Sequence, residues 1–205
     1  MAAFGLSRLV ANDDHPQAAA VSAILSDAYS PAVLALLERA GTKVVLLNDG
    51  ETYTQASAEL RRLGIALENW PIPPAGIFVV SERTVYLRSV SRMTVVHEIA
   101  HGLDAALGGG VYLSGTDPRF RRAFASAEKF VTPYAASAGD EHFAECVRAW
   151  TDRGNDPHSL WPKATRERLA SCDPRMLALL DEVFAKIERD DVAVRAGEQL
   201  ALFAA

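Results

Sequence analysis

The chain has 205 residues, is 49% hydrophobic and 23% charged, and carries a net charge of −5; it is long enough to bury a core without disulfide staples. Its Lys and Arg are dispersed, which excludes the clustered basic face of a nucleic-acid binder, and no apolar run approaches the length that spans a bilayer. The opening MAAFGLSRLVANDDHP lacks a basic start and an unbroken apolar stretch, so no Sec signal peptide is read there; Cys146 and Cys172 then read as free thiols in a reducing, cytoplasmic compartment.

Proline fits the first turn of a helix, where its missing N–H costs nothing. In chain order, Pro16 opens a helix over about 16–28, and Pro31, after the cap residue Ser30, opens one over about 31–40 that Gly41 closes. The short Val- and Leu-rich run 43–47 suits a buried strand. A helix over about 54–63 follows, turning Leu60 and Leu63 inward and stopping at Gly64. Three prolines in four residues hold WPIPPAG, 70–76, on an extended path. GIFVV and TVYLR then flank Ser81, Glu82 and Arg83 as a β-hairpin.

Ser91 caps a helix over 92–107 that ends in Gly108, Gly109 and Gly110. Its Val96, Ile99, Leu103 and Leu107 share one stripe and its His97, His101 and Asp104 another face, so it is expected to be anchored by one side and to offer the other. Asp117-Pro118 starts a helix over about 118–130. A helix over about 139–152 carries Phe143, Val147 and Trp150 on its apolar side, and Asp173-Pro174 starts a helix over about 174–188. No internal repeat interrupts this series. The expectation is an α+β fold, a small sheet with a hairpin packed on a mostly helical domain, spanning 1–190 with a C-terminal tail over 191–205.

The chemistry concentrates in HEIAHGLD. Four residues apart on a helix, His97 and His101 lie about 40° apart on one face and can reach one metal ion, with Glu98 about 100° round, beside the metal rather than on it. This is the H-E-x-x-H arrangement of zinc metalloproteases, two ligands and a carboxylate placed to take a proton from water. A catalytic zinc needs a third protein ligand and an open position. TPYAASAGDEHFAECVRAW offers Glu141 and Glu145 on one face of the 139–152 helix, one to bind metal and the other to hold the free nitrogen of a ligating histidine.

HEIAHGLD, followed by Tyr134, Glu141 seven residues later and the E-x-F-A-E run, resembles the lethal-factor-like zinc peptidases, a group that includes the anthrax lethal factor catalytic domain and the Pro-Pro endopeptidases. YAASAGDEHFAE is also similar to the corresponding segment of the Mlc titration factor peptidases. The resemblance covers 92–152, the active-site core, and implies a zincin-like domain with one Zn2+ per chain on His97, His101 and Glu141. It further implies Glu98 as general base, Tyr134 as oxyanion donor and Glu145 as the partner of a ligating histidine. The implied function is a zinc-dependent peptidase, most simply an endopeptidase. Its partner is a peptide or protein substrate, and the hairpin strand Thr84 to Arg88 is the candidate to receive it as an added strand. Two alternatives stay open: a zinc-containing binding or regulatory protein of the same fold, and an ImmA-type regulator-cleaving peptidase.

The remaining candidates read more plainly. Asp104 is expected to cap or pack, and His142, about 100° round the helix from Glu141, to be exposed. His15 and His158 sit in Pro-adjacent loops without ligand partners.

Overall fold

The computed structural model describes residues 8–155 and 163–203, with side chains as far as 196. Helices α1 (Ala18–Ala28) and α2 (Pro31–Arg39) lead into strand β1 (Lys43–Leu46). Pro16 falls outside α1, which starts later than expected; Gln17 is its N-cap and makes no side-chain cap, while His15 Nδ1 accepts from the Gln17 N–H at 3.2 Å in the preceding turn. α2 starts as expected with Ser30 Oγ accepting from the Val33 N–H, and Gly41, at φ 77°, makes the left-handed turn out of it.

The helix expected over 54–63 breaks at Ser57 into α3 (Tyr53–Ala56) and α4 (Ala58–Leu63). Ser57 keeps an extended backbone, so that its Oγ accepts from the Leu60 N–H while it donates to Glu82. Serine offers the backbone this alternative to a continuous helix. The break leaves Leu60 buried but turns Leu63, expected inside, out to 50% exposure.

Strands β2 (Gly76–Val79) and β3 (Thr84–Leu87) form the expected antiparallel hairpin. β3 also pairs in parallel with β1, so the sheet runs β1-β3-β2 with β3 in the middle. Side chains alternate across it: Val85 and Leu87 enter the main core, while Tyr86 joins Leu47, Tyr53, Leu60 and Val79 in a smaller cluster. The expected docking of a substrate strand on Thr84 to Arg88 is therefore ruled out, because β3 has a partner on each side. β1 and β2 are the edge strands; the outer side of β1 is met by the bridge between Val10 and Val44, and among the described residues β2 pairs on one side only.

Helix α5 (Arg92–Leu107) starts where expected, with Ser91 Oγ accepting from the Thr94 N–H at 3.1 Å. After it come α6 (Leu113–Thr116), α7 (Pro118–Ala125), α8 (Gly139–Thr151), α9 (Arg166–Cys172) and α10 (Pro174–Phe203). The expected open side of α5 does not exist. Every residue from Thr94 to Ala105 is buried, because the sheet, α1, α2 and α8 all pack against the helix. Val95, Val96, Ile99 and Leu103 are fully inside, each contributing about 1.5–3 kcal/mol, and together they make α5 a fixed platform.

α7 stops short of the expected residue 130, where Ser126 Oγ donates back to the Arg122 carbonyl at 2.7 Å; the chain then turns Val131 and Thr132 into the core. α10 runs beyond 188, through Asp191, which is buried and paired with Arg39 and Arg195. The architecture is α+β as expected, mostly helical with a small mixed sheet. Among the described residues no single helix is long and apolar enough to cross a membrane.

Candidate metal centre

α8 packs along α5 and brings a carboxylate to the two histidines. His97 Nε2 lies 3.2 Å from His101 Nε2 and 3.0 Å from Glu141 Oε2, and the third side of the triangle, His101 Nε2 to Glu141 Oε2, is 3.3 Å. Zinc with its ligands at about 2.0–2.1 Å in tetrahedral array needs ligand atoms about 3.3 Å apart, so the triangle fits one face of such a site. Glu141 Oε2 is buried and accepts no well-directed hydrogen bond among the described residues, so its acceptor capacity is left for a cation.

The electrostatics agree with the geometry. Burial works against charge on His97, yet Glu141 and Glu145 outweigh it and hold the imidazole at about 10. Burial likewise works against ionised Glu141, but His101 and His97 pull it well below the usual carboxylate range. The pocket thus stabilises positive charge between these atoms. A proton on His97 can supply part of it, and a metal would have to displace that proton. Glu98, 8% exposed, is pushed up by burial, with His97 and His101 opposing and Glu141 adding to the rise, which suits a carboxylate that must accept a proton.

Glu145, expected beside a ligating histidine, has its Oε1 2.9 Å from His97 Nδ1. The Tyr134 hydroxyl donates to Glu141 Oε1 at 3.0 Å, and its ring centroid stands 5.7 Å from that of His97. Tyr134 opens a short 3-10 turn, Tyr134–Ala136, seated by Thr132 Oγ1 accepting from the Ala135 N–H at 3.3 Å. Across the site, the Tyr112 ring lies 5.7 Å from His101. Tyr112 is held in place through its neighbour Ser114, whose N–H and hydroxyl both donate to Asp104, at 2.8 and 2.5 Å. Asp104 thus has the capping and packing role expected of it, and burial raises its carboxyl to about 6.

Sequence reasoning placed His142 on the surface, and the structure corrects this. His142 is 1% exposed, with Nε2 3.0 Å from Asp173 Oδ2, between the rings of Phe124 and Phe130. It points away from His97, His101 and Glu141, as its helical phase requires, but into the start of α10 rather than into water. Cys146 is buried and Cys172 half-buried, both free, and among the described residues the His15 side chain serves the turn before α1. His158 lies outside the described residues.

Three residues went unread. Arg148 is buried against Glu145, one turn further along α8, and Thr132 donates to the same carboxylate. The i, i+3 spacing of Glu145 and Arg148 was the available signal. Gly76, at the start of β2, is the third. A Cβ there would meet Glu98 Cγ at 2.8 Å, Leu87 Cδ2 at 2.9 Å and Thr94 Cγ2 at 2.9 Å, so the glycine leaves the space that the Glu98 side chain occupies. Gly76→Ala should destabilise the protein by about 1–3 kcal/mol through overpacking, read as a lower melting temperature. An unchanged melting temperature would mean that Glu98 has room to move aside.

Fold and cluster stand together in one chain: a mostly helical α+β fold with a small mixed sheet, carrying a His-His-Glu group that could hold a metal ion. The particular likeness is to the Pro-Pro endopeptidase PPEP-2 from Paenibacillus alvei, with a TM-score of 0.59 and 20% sequence identity over 87% of this chain and 98% of that one. No family model matches the sequence, and no curated protein matches it by sequence.

Proposed function

We propose that the chain is a zinc-dependent endopeptidase holding one zinc on His97, His101 and Glu141. The observation that carries this reading is the convergence of three ligand atoms at 3.0–3.3 Å beside the buried carboxylate of Glu98. A bound zinc would polarise the scissile carbonyl and lower the pKa of a water toward about 7. Glu98 takes the proton of the attacking water and returns it to the leaving amine. The Tyr134 hydroxyl donates to the carbonyl oxygen as negative charge develops on it. The edge of β2, paired on one side, offers backbone groups to an extended peptide running past Glu98, and side-chain pockets then set the specificity. The place of Glu141 in the cluster supports this reading over an ImmA-type peptidase, for which a third ligand elsewhere would speak.

The purified protein should contain about one zinc per chain by metal mass spectrometry, and His97→Ala or Glu141→Ala should lose it, since three protein ligands are usual for a catalytic site. Full zinc retention in Glu141→Ala would remove Glu141 from the ligand set. A peptide library that includes Pro-Pro junctions, screened with the zinc-loaded protein, reads the bond that is cut. Absence of cleavage across the library would overturn the peptidase reading and leave the zinc-containing binding protein.

A further inference from the structure

Glu145 is enclosed by donors. Its Oε1 lies 2.9 Å from His97 Nδ1 and 3.0 Å from Arg148 Nε, and its Oε2 lies 2.8 Å from Arg148 Nη2 and 2.5 Å from Thr132 Oγ1. An ionised carboxylate has about four acceptor sites, so the shell is complete. Arg148 is 3% exposed and Glu145 4%, and the guanidinium meets the carboxylate with two parallel N–H bonds, the arrangement that fixes a carboxylate in its plane. The remaining nitrogen, Nη1, donates to the Gly154 carbonyl at 3.0 Å and lies 3.3 Å from Asn155 Oδ1. The Arg148 stem fills space that a side chain at Gly154 would need, since a Cβ there would meet Arg148 Cγ at 2.3 Å. The niche is shaped around this one side chain.

We propose that Arg148 is a positioning residue for the metal centre, acting through Glu145 to fix the tautomer and ring orientation of His97. Guanidinium is a donor only, so the carboxylate that faces it is an acceptor only, and His97 Nδ1 must then carry the proton of the bond to Glu145. Once a metal displaces the other ring proton, the lone pair of His97 Nε2 faces the space between His101 Nε2 and Glu141 Oε2, where a ligand must present it. His101 has no counterpart to this device: its Nδ1 is buried with no partner among the described residues. Arg148 therefore secures the one histidine of the pair that has a charged partner behind it.

The inference rests on the zinc-site reading, and zinc affinity separates the two. Zinc dissociation constants are measured by competition with a chromogenic chelator on the wild type, Arg148→Gln, Arg148→Lys, Glu145→Gln and both double variants with Glu145→Gln. Melting curves of each metal-free protein establish the temperature at which all are folded. The wild type binds zinc; failure to do so would overturn the zinc site and the inference with it. Arg148→Gln weakens zinc about 10- to 100-fold, the usual loss when a partner behind a ligand is removed. Arg148→Lys recovers part of that loss. In the Glu145→Gln background the Arg148 substitutions cost nothing further, because the path through the carboxylate is already cut. A folded Arg148→Gln that binds zinc like the wild type would overturn the proposal, as would losses that multiply in the double variant. Should Arg148→Gln not fold, Arg148→Lys with and without Glu145→Gln gives the same comparison.

Discussion

Glu98→Gln is expected to keep zinc and fold and to lose nearly all turnover. The amide is close in shape to the carboxylate but cannot take a proton from water, and a positioned general base contributes about 10²- to 10⁴-fold. The environment of Glu98 makes the expectation sharper than a bare H-E-x-x-H would. Burial raises its pKa, so an ionised Glu98 costs folding energy in the native state wherever the pH lies above that raised value, and the cost disappears when the group is made neutral. Glu98→Gln should therefore melt no lower than the wild type while it stops cutting, the pattern of a residue kept for chemistry at the expense of stability. Zinc analysis, melting temperature and kcat on any cleaved peptide test this together. Turnover near the wild-type rate with zinc bound would sink the general-base assignment. A large drop in melting temperature would mean instead that the carboxylate supports the fold.

The parts of this fold that were legible in the sequence are those fixed by local chemistry. Ser30, Ser91, Asp117 and Asp173 each accept from a backbone N–H at the start of a helix, as short-range capping demands, and Gly41 and Gly64 end helices at positive φ. The candidate His-His-Glu cluster was legible for the same reason: H-E-x-x-H and the carboxylates of α8 are each set by helical phase, so only the meeting of two helices had to be supplied by the fold. What failed depended on partners far along the chain. The phase of His142 was right, but Asp173, 31 residues away, decides that it is buried. α5 was expected to be anchored by one side and to offer the other; the face of His97, His101 and Asp104 is covered as well, because α8 and the turn at Ser114, from elsewhere in the chain, close over it. β3 read as a hairpin strand with a free side because nothing local tells a chain that β1 will pair with it in parallel.

Tyr134→Phe should lower kcat by about 10²- to 10³-fold, roughly 3–4 kcal/mol, the usual loss when one oxyanion donor is removed. The tyrosine is 48% exposed, so it is not a core residue, and deleting its hydroxyl should change the melting temperature little. Burial of the hydroxyl and the neighbouring Glu141 both push its pKa up, which keeps it protonated and able to donate at neutral pH. In the structure that proton goes to Glu141 Oε1, the carboxylate oxygen that is not aimed at the histidines. Two roles are therefore in competition: steadying Glu141, or turning to the carbonyl oxygen when charge appears there. They leave different signatures. A donor needed only in the transition state lowers kcat and leaves KM and zinc affinity near wild type. A hydroxyl that serves Glu141 weakens zinc binding in Tyr134→Phe, and turnover returns when zinc is added in excess. Measuring kcat, KM and the zinc dissociation constant on the same preparation decides between them, and recovery of full activity by excess zinc would take Tyr134 out of the oxyanion role.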